Sequence, residues 1–451
     1  MKVARLLLLL PAFAACASVE EELVHPGYES PTVYDEILPL RERAALHDEL
    51  VAKRLDRVIP PLMREVGIDT WVLIAREYNE DPVLETMLPA NRFAARRRTI
   101  LVFHDNGQSV ERFAVSRYPV GDFFAAMWDP ETEPDQWKRL AELLDERGPR
   151  KIALNGSTRY GHADGLTHFE HEAFVQALSP ALRERVVFDD RLGVGWLETR
   201  IEEEIEHYRT MCAIAHAIIA EGFSRVAVTP GETTTKDVEW WYRERIAGLK
   251  LGLWFHPHVS LQRSEAEERS RSFAVSQGDG VIERGDLLHV DLGITYLGLN
   301  TDTQQHAYVL RKEEVDAPAG LREGLATGNR LQDCLTTSFV TGRTGNEILA
   351  AAKKKALDAG IDNSIYTHPL GNHGHGAGPT IGMWDKQNGV PGSGDYALRP
   401  NSAFSIELNA RVRIPEWGDK ETLVMLEEDA FFDGAGVDYL DGRQLRLLLI
   451  P

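Results

Sequence analysis

Three apolar, strand-like runs near the C-terminal end each place a carboxylate where a strand would bury it. Asp291 is central in LLHVDLGITYLGL (287–299), Glu407 lies between Ile and Leu in SAFSIELNARVRI (402–414), and Glu427 follows Val-Met-Leu in TLVMLEEDAFF (422–432). A fourth acid, Asp302 in LNTDTQQHAYVL, stands on the strand that returns from the first run, after Gly293 and Gly298 allow a tight reversal. An ionised carboxylate in such a setting costs several kcal/mol unless a cation or hydrogen-bond donors meet it, and Asp and Glu are almost never fully buried without a partner. Each acid alone has an ordinary reading: Asp302 could end a strand, and Glu427 could open a polar turn with Glu428 and Asp429. Four together are harder to explain that way, because no comparable set of basic residues sits in apolar strands there. Hard divalent ions are the economical partner.

The histidines point the same way. YTHPLGNHGHGAGPTIGMWD (366–385) carries His368, His373 and His375 among glycines that let the backbone approach an ion closely. One imidazole with several carboxylates suits manganese, zinc, cobalt or iron better than calcium, which prefers all-oxygen shells.

The rest of the chain bounds the answer. Its 451 residues suit two domains. A formal charge of −20, with no basic stripe, excludes a nucleic-acid backbone as partner. Cys16, Cys212 and Cys334 are too few and too scattered for a disulfide framework or a thiolate zinc site. Lys2 and Arg5 followed by LLLLLPAFAA read as an export signal over 1–17, too short to span a bilayer. FAAC resembles a lipoprotein box ending at a lipidated Cys16, with Phe13 where that box prefers Leu, Val or Ile; cleavage after Ala17 is the competing reading. Either way the chain is expected to be exported, periplasmic, with attachment to the membrane if Cys16 is lipidated.

Residues 18–40 read as an acidic, proline-containing tether. Helical spacing over 41–66 and the strands TWVLIA (70–75), TILVFH (99–104) and KIALN (151–155) predict a small α/β domain, with Gly193 to Trp196 as a junction. Ile201, Ile205, Tyr208, Met211, Cys212, Ala215, Ile218 and Ile219 then mark an amphipathic helix. The segments 228–251 and 340–361 each give Gly-x-Thr, a polar helix start and an amphipathic helix, which hints at two related halves.

Asp291 and Asp302 stand eleven apart across a hairpin, followed by a GHGAG motif, the Glu of SIE and a final Glu in the next strand. This ordered set resembles the pita-bread metallopeptidases: prolidase, Xaa-Pro aminopeptidase, methionine aminopeptidase and creatinase. The resemblance covers roughly 195–445, and 41–190 resembles the creatinase/prolidase N-terminal domain. It implies a mixed α/β (α+β) fold with a creatinase-type domain over 41–195 and a duplicated pita-bread catalytic domain over 196–451. It also implies a homodimer and two divalent metal ions, manganese foremost, with zinc, cobalt or iron as alternatives. By that resemblance Asp291, Asp302, His375, Glu407 and Glu427 hold the metals, His373 being the alternative to His375, and Glu407 shuttles the proton.

The departures from the family pattern concern the surroundings of these ligands. Family peptidases usually carry a second histidine about seven residues beyond the metal histidine, and none follows His375; Trp384-Asp385 stands near that place. A histidine expected some seventeen residues before Asp291 is missing from LQRSEAEERSRSFAVSQGDG (261–280). The arginine commonly two residues before the final Glu is Met425. His368, with His289 and His256 behind it, is the candidate to replace the missing catalytic histidines. The expected activity is removal of the N-terminal residue from Xaa-Pro peptides. The alternatives are hydrolysis of another C–N bond in a small amide, as in creatinase, and a non-catalytic homologue that kept its metal.

Overall fold

The computed structural model describes residues 31–264 and 279–451. The signal and lipidation readings at Cys16, residues 18–30 of the tether and most of the 261–280 stretch lie outside the described residues.

The three strands predicted in the first part of the chain form the middle of one six-stranded sheet. Its order is Ala125–Ala126, Val110–Ala114, Arg98–Asp105, Thr70–Arg76, Ile152–Leu154, Val186–Phe188. Side chains alternate between the faces of a strand, and both faces of Thr70–Arg76 are covered. Trp71 and Leu73 pack with Leu50, Leu62 and Met63 from helices Leu40–Arg57 and Ile59–Val66. Val72 and Ile74 pack with Leu140, Leu144 and Phe174 from helices Gln136–Arg147 and His168–Ala177.

Gly193–Trp196, read as a junction, lie within the helix Asp190–Glu198. The glycines there serve close packing: a Cβ at Gly195 would come within 2.6 Å of Leu62, and one at Gly193 within 3.2 Å of Ala163. The end of the expected tether is held against the fold. Thr32–Glu36 forms a short 3-10 helix whose Tyr34 is buried and donates from its hydroxyl to Glu221 Oε2 at 2.8 Å.

The second part of the chain repeats one plan. Helices Glu202–Gly222 and Thr235–Gly248 precede strands His258–Gln262, Leu287–Leu292 and Thr303–Val309, which pair in one sheet. Helices Ala319–Thr336 and Gly345–Asp358 precede Asp362–Ile365, Leu408–Ile414 and Lys420–Leu426, which pair in another. The second helix of each pair opens with the same reciprocal cap, Thr234 with Asp237 and Thr344 with Glu347, which is the physical content of the weak sequence repeat.

The site is positioned by breaks in these strands. Ser402–Ser405 pairs with Asp429–Phe432 in one sheet, while Leu408–Ile414 pairs with Lys420–Leu426 in the next. Glu407 and Glu427 occupy the gap where this ribbon passes from sheet to sheet, and Gln304 bridges across to Glu427. Asp291 and Asp302 flank the matching break, where Ile294–Tyr296 and Leu299–Asn300 form a separate hairpin. Its two-residue turn needs positive φ at both positions, met by Leu297 at 53° and Gly298 at 75°. At such bends strict alternation lapses, and four carboxylates converge.

Candidate metal centre

Asp302 and Glu427 are buried, and burial together with the Glu427 charge pushes Asp302, Asp291 and Glu407 well above the usual carboxylate range. Mutual repulsion of this kind marks a site built to hold positive charge. The centre opens into a cavity of about 510 Å³ walled by Trp254, Phe255, Tyr366, Trp384 and Met425, and no lysine or arginine is among the described residues lining it.

His368 reaches the acids directly. It lies on the strand His368–Leu370, opposite Ser405, and its Nε2 stands 3.7 Å from Asp302 Oδ2 and 3.6 Å from Glu427 Oε1. His368 Nε2, Asp302 Oδ1 and Asp291 Oδ1 are buried and have no hydrogen-bond partner among the described residues. Such orphaned groups are costly, and donors about 2.0–2.2 Å from a common ion can lie this far apart. The residues therefore fit a divalent cation. Among the described residues, three sets of donors come within 4.8 Å of one another: Asp291, Asp302 and Glu427; His368, Glu407 and Glu427; and Asp302, His368 and His375.

His375, the expected ligand, belongs to one of these sets, and His368 to two. His375 meets His368 edge-on, with ring centroids 4.7 Å apart, and lines the cavity beside Trp254. Burial and the neighbouring His368 lower its pKa to about 4, so it is neutral at neutral pH. His373, the alternative ligand, is not brought to the acids: its ring packs 4.6 Å from His162 of the first part of the chain. His256 lies away from the acids, beside Trp240 and Glu239. His289 does enter the site, through a 2.9 Å hydrogen bond with Gln304 Oε1.

Several supporting residues escaped sequence reasoning. Ser405 Oγ donates to Glu427 Oε1, and the Asp302 backbone N–H donates to Asp429 Oδ1 at 3.1 Å. Asp429 and Glu428, read as turn residues, are buried. Glu428 accepts from Gln305 and Gln444 and pairs with His216 at 2.7 Å. Gln304 donates from Nε2 to Glu407 Oε1 at 2.9 Å and to Glu427 Oε2 at 2.6 Å. The available signal was period two: Gln304 shares a strand face with Asp302.

The loop after His368 is fastened to the first part of the chain. Arg54 Nη1 and Arg200 Nη2 both donate to Asn372 Oδ1, at 3.1 and 3.2 Å, and Asn300 Nδ2 donates to Asn372 O at 2.9 Å. Glu204 meets both guanidiniums, at 3.4 Å from Arg54 and 3.1 Å from Arg200.

Comparison with known proteins gives the same frame. The model of metallopeptidase family M24 matches residues 206–436. The structure of an X-Pro aminopeptidase from Thermotoga maritima superposes with a TM-score of 0.60 at 18% identity, covering 86% of this chain and 99% of that one. An Xaa-Pro dipeptidase from Bacillus anthracis gives 0.58 at 16% identity, covering 91% and 100%. A prolidase from Pyrococcus horikoshii gives 0.55 at 16%, covering 87% and 98%. No curated protein matches by sequence.

Proposed function

Because the chain belongs to metallopeptidase family M24, and so is a metallohydrolase, we propose that it is an exopeptidase that releases the N-terminal residue ahead of proline. The carrying observation is that His368 Nε2 stands 3.7 Å from Asp302 Oδ2 and 3.6 Å from Glu427 Oε1 beneath an aromatic cavity with no lysine or arginine among its described lining residues. A divalent ion held there would polarise the scissile carbonyl and lower the pKa of water to near neutrality. Manganese is the first candidate, with zinc, cobalt or iron behind it.

In this reading His368 is the metal-binding histidine and His375 faces the substrate. That restores the expected spacing, because His375 follows His368 by seven residues. His375, neutral and open to the cavity, donates a hydrogen bond to the carbonyl oxygen as charge develops on it. Glu407 takes the proton of the attacking water and passes it to the departing amine. Trp254, Phe255, Tyr366 and Trp384 enclose an apolar pyrrolidine ring. The basic and apolar start ending near Cys16 supports action outside the cytoplasm.

The test is release of the first residue from Xaa-Pro and Xaa-Ala peptide pairs by chelator-treated protein, before and after manganese is restored. The proposal expects restored, proline-selective cleavage. Equal cleavage of both peptides would remove the proline assignment, and turnover of a small non-peptide amide alone would favour the creatinase-like alternative.

A further inference from the structure

The first part of the chain encloses a second cavity, of about 580 Å³, a size that suits a small molecule. It shares no lining residue with the cavity of the metal centre. Six arginines line it, Arg76, Arg92, Arg96, Arg97, Arg98 and Arg117, and Glu77 is the one carboxylate among the described lining residues. This concentration of positive charge sits in a chain whose formal charge is −20.

The strands gather these arginines at one end of the six-stranded sheet. Arg76 ends the strand Thr70–Arg76 and Arg98 begins Arg98–Asp105, so the two stand directly opposite each other. Like charges in that position repel, and buried Glu170 holds them together, 3.2 Å from Arg76 Nε and 2.5 Å from Arg98 Nε. Arg117 pairs with exposed Glu131. Arg92 donates from Nη2 to Pro119 O at 2.5 Å, and burial with the neighbouring Arg96 lowers its pKa. Arg96 and Arg97 are exposed and form no ion pair among the described residues. Arg97 is also held at φ 52°, a left-handed conformation that is costly without glycine, while its carbonyl accepts from Glu77 N at 2.9 Å.

Glu77, Glu131 and Glu170 thus leave three of the six charges uncompensated. A single carboxylate would meet one of them, whereas a phosphate ester or a diphosphate brings two or more charges on a compact set of oxygens. The guanidinium fork fits such oxygens in pairs. Tyr118 and Trp128 add aromatic surface beside the charges for an organic part. We propose that this cavity binds a phosphate-bearing ligand, gripped by Arg92, Arg96 and Arg97.

Calorimetric titration of the full chain, as purified, with inorganic phosphate and with pyrophosphate tests this. The wild type is expected to bind one pyrophosphate per chain, more tightly than phosphate. The double variant Arg96→Gln, Arg97→Gln is expected to weaken pyrophosphate binding by at least about 10-fold, because charge-assisted hydrogen bonds are lost. The same charge change at Arg225 and Arg330, exposed elsewhere, should leave it unaltered. Arg92→Lys, which keeps the charge and loses the fork, repeats the measurement if the double variant does not fold. Co-sedimentation with phosphatidylglycerol vesicles that pyrophosphate abolishes would make the ligand a lipid headgroup, and no co-sedimentation would make it a soluble molecule. Absence of saturable binding would overturn the inference. So would binding that the Arg96, Arg97 variant retains, which puts the anion elsewhere, or an equal loss in the Arg225, Arg330 variant, which reduces it to net charge.

Discussion

His368 and His375 face each other edge-on at 4.7 Å, with His368 Nε2 3.7 Å from Asp302 Oδ2 and 3.6 Å from Glu427 Oε1 and the His375 ring against Trp254. Strand pairing accounts for the difference. His368 is held opposite Ser405 in a four-stranded sheet, while His375 follows a glycine-rich loop and rests against Trp254.

The two positions should separate in binding and turnover. His368→Ala is expected to weaken manganese affinity by at least about 100-fold, since a directly bound ligand matters more than its outer-shell partners. His375→Ala is expected to keep the ion and lose about 100–1,000-fold in kcat, the usual effect of removing one donor to a developing oxyanion. Calorimetry and steady-state kinetics on the same preparations decide between this and the reverse order.

The loop glycines give a steric prediction. A Cβ at Gly374 would lie 2.3 Å from the Trp254 ring, which walls the cavity. Gly374→Ala should therefore displace Trp254 and raise KM for Xaa-Pro substrates, with metal content unchanged. An unaltered KM would mean that Trp254 does not touch substrate.

Stability at the junction depends on Glu204, which is 3% exposed between Arg54 and Arg200, themselves 2% and 0% exposed at the side chain. Glu204→Gln leaves two buried guanidiniums without a counter-charge and should destabilise the fold by about 3–5 kcal/mol. Denaturant titration measures it directly.

His216 gives a pH-dependent prediction. Burial opposes its charged form, but Glu428 at 2.7 Å and Asp441 at 2.8 Å outweigh that and raise its pKa from 6.5 to about 10. The folded state thus binds the proton more tightly than the unfolded chain, so this stabilisation is complete below about pH 6.5 and fades as pH rises through about 10. Thermal melts of wild type and His216→Gln should differ most near pH 6, and the gap should close above pH 10. A gap constant with pH would place the effect in packing alone.

Much of this architecture was legible in the residues. Strands such as Thr70–Arg76 declared themselves through β-branched and apolar runs, and the four acids through carboxylates where apolar packing allows none without a partner. The close packing of Gly193 against Ala163 and of Gly195 against Leu62 was not legible, because it depends on side chains far away in sequence. His368 stood out as a candidate catalytic histidine, but its approach to Asp302 and Glu427 follows from its pairing with Ser405, which no local pattern announces. Gln304 carries no charge to stand out in a strand. Its importance comes from facing Glu407 and Glu427, which lie more than a hundred residues away.

The decisive measurement is the metal dependence of peptide hydrolysis. Chelator-stripped protein should be inactive on Xaa-Pro peptides, regain activity with manganese, and fail to regain it as Asp302→Asn, although that variant still folds. Full activity in protein shown to be free of metal would contradict the assignment of these acids and His368 as a metal centre.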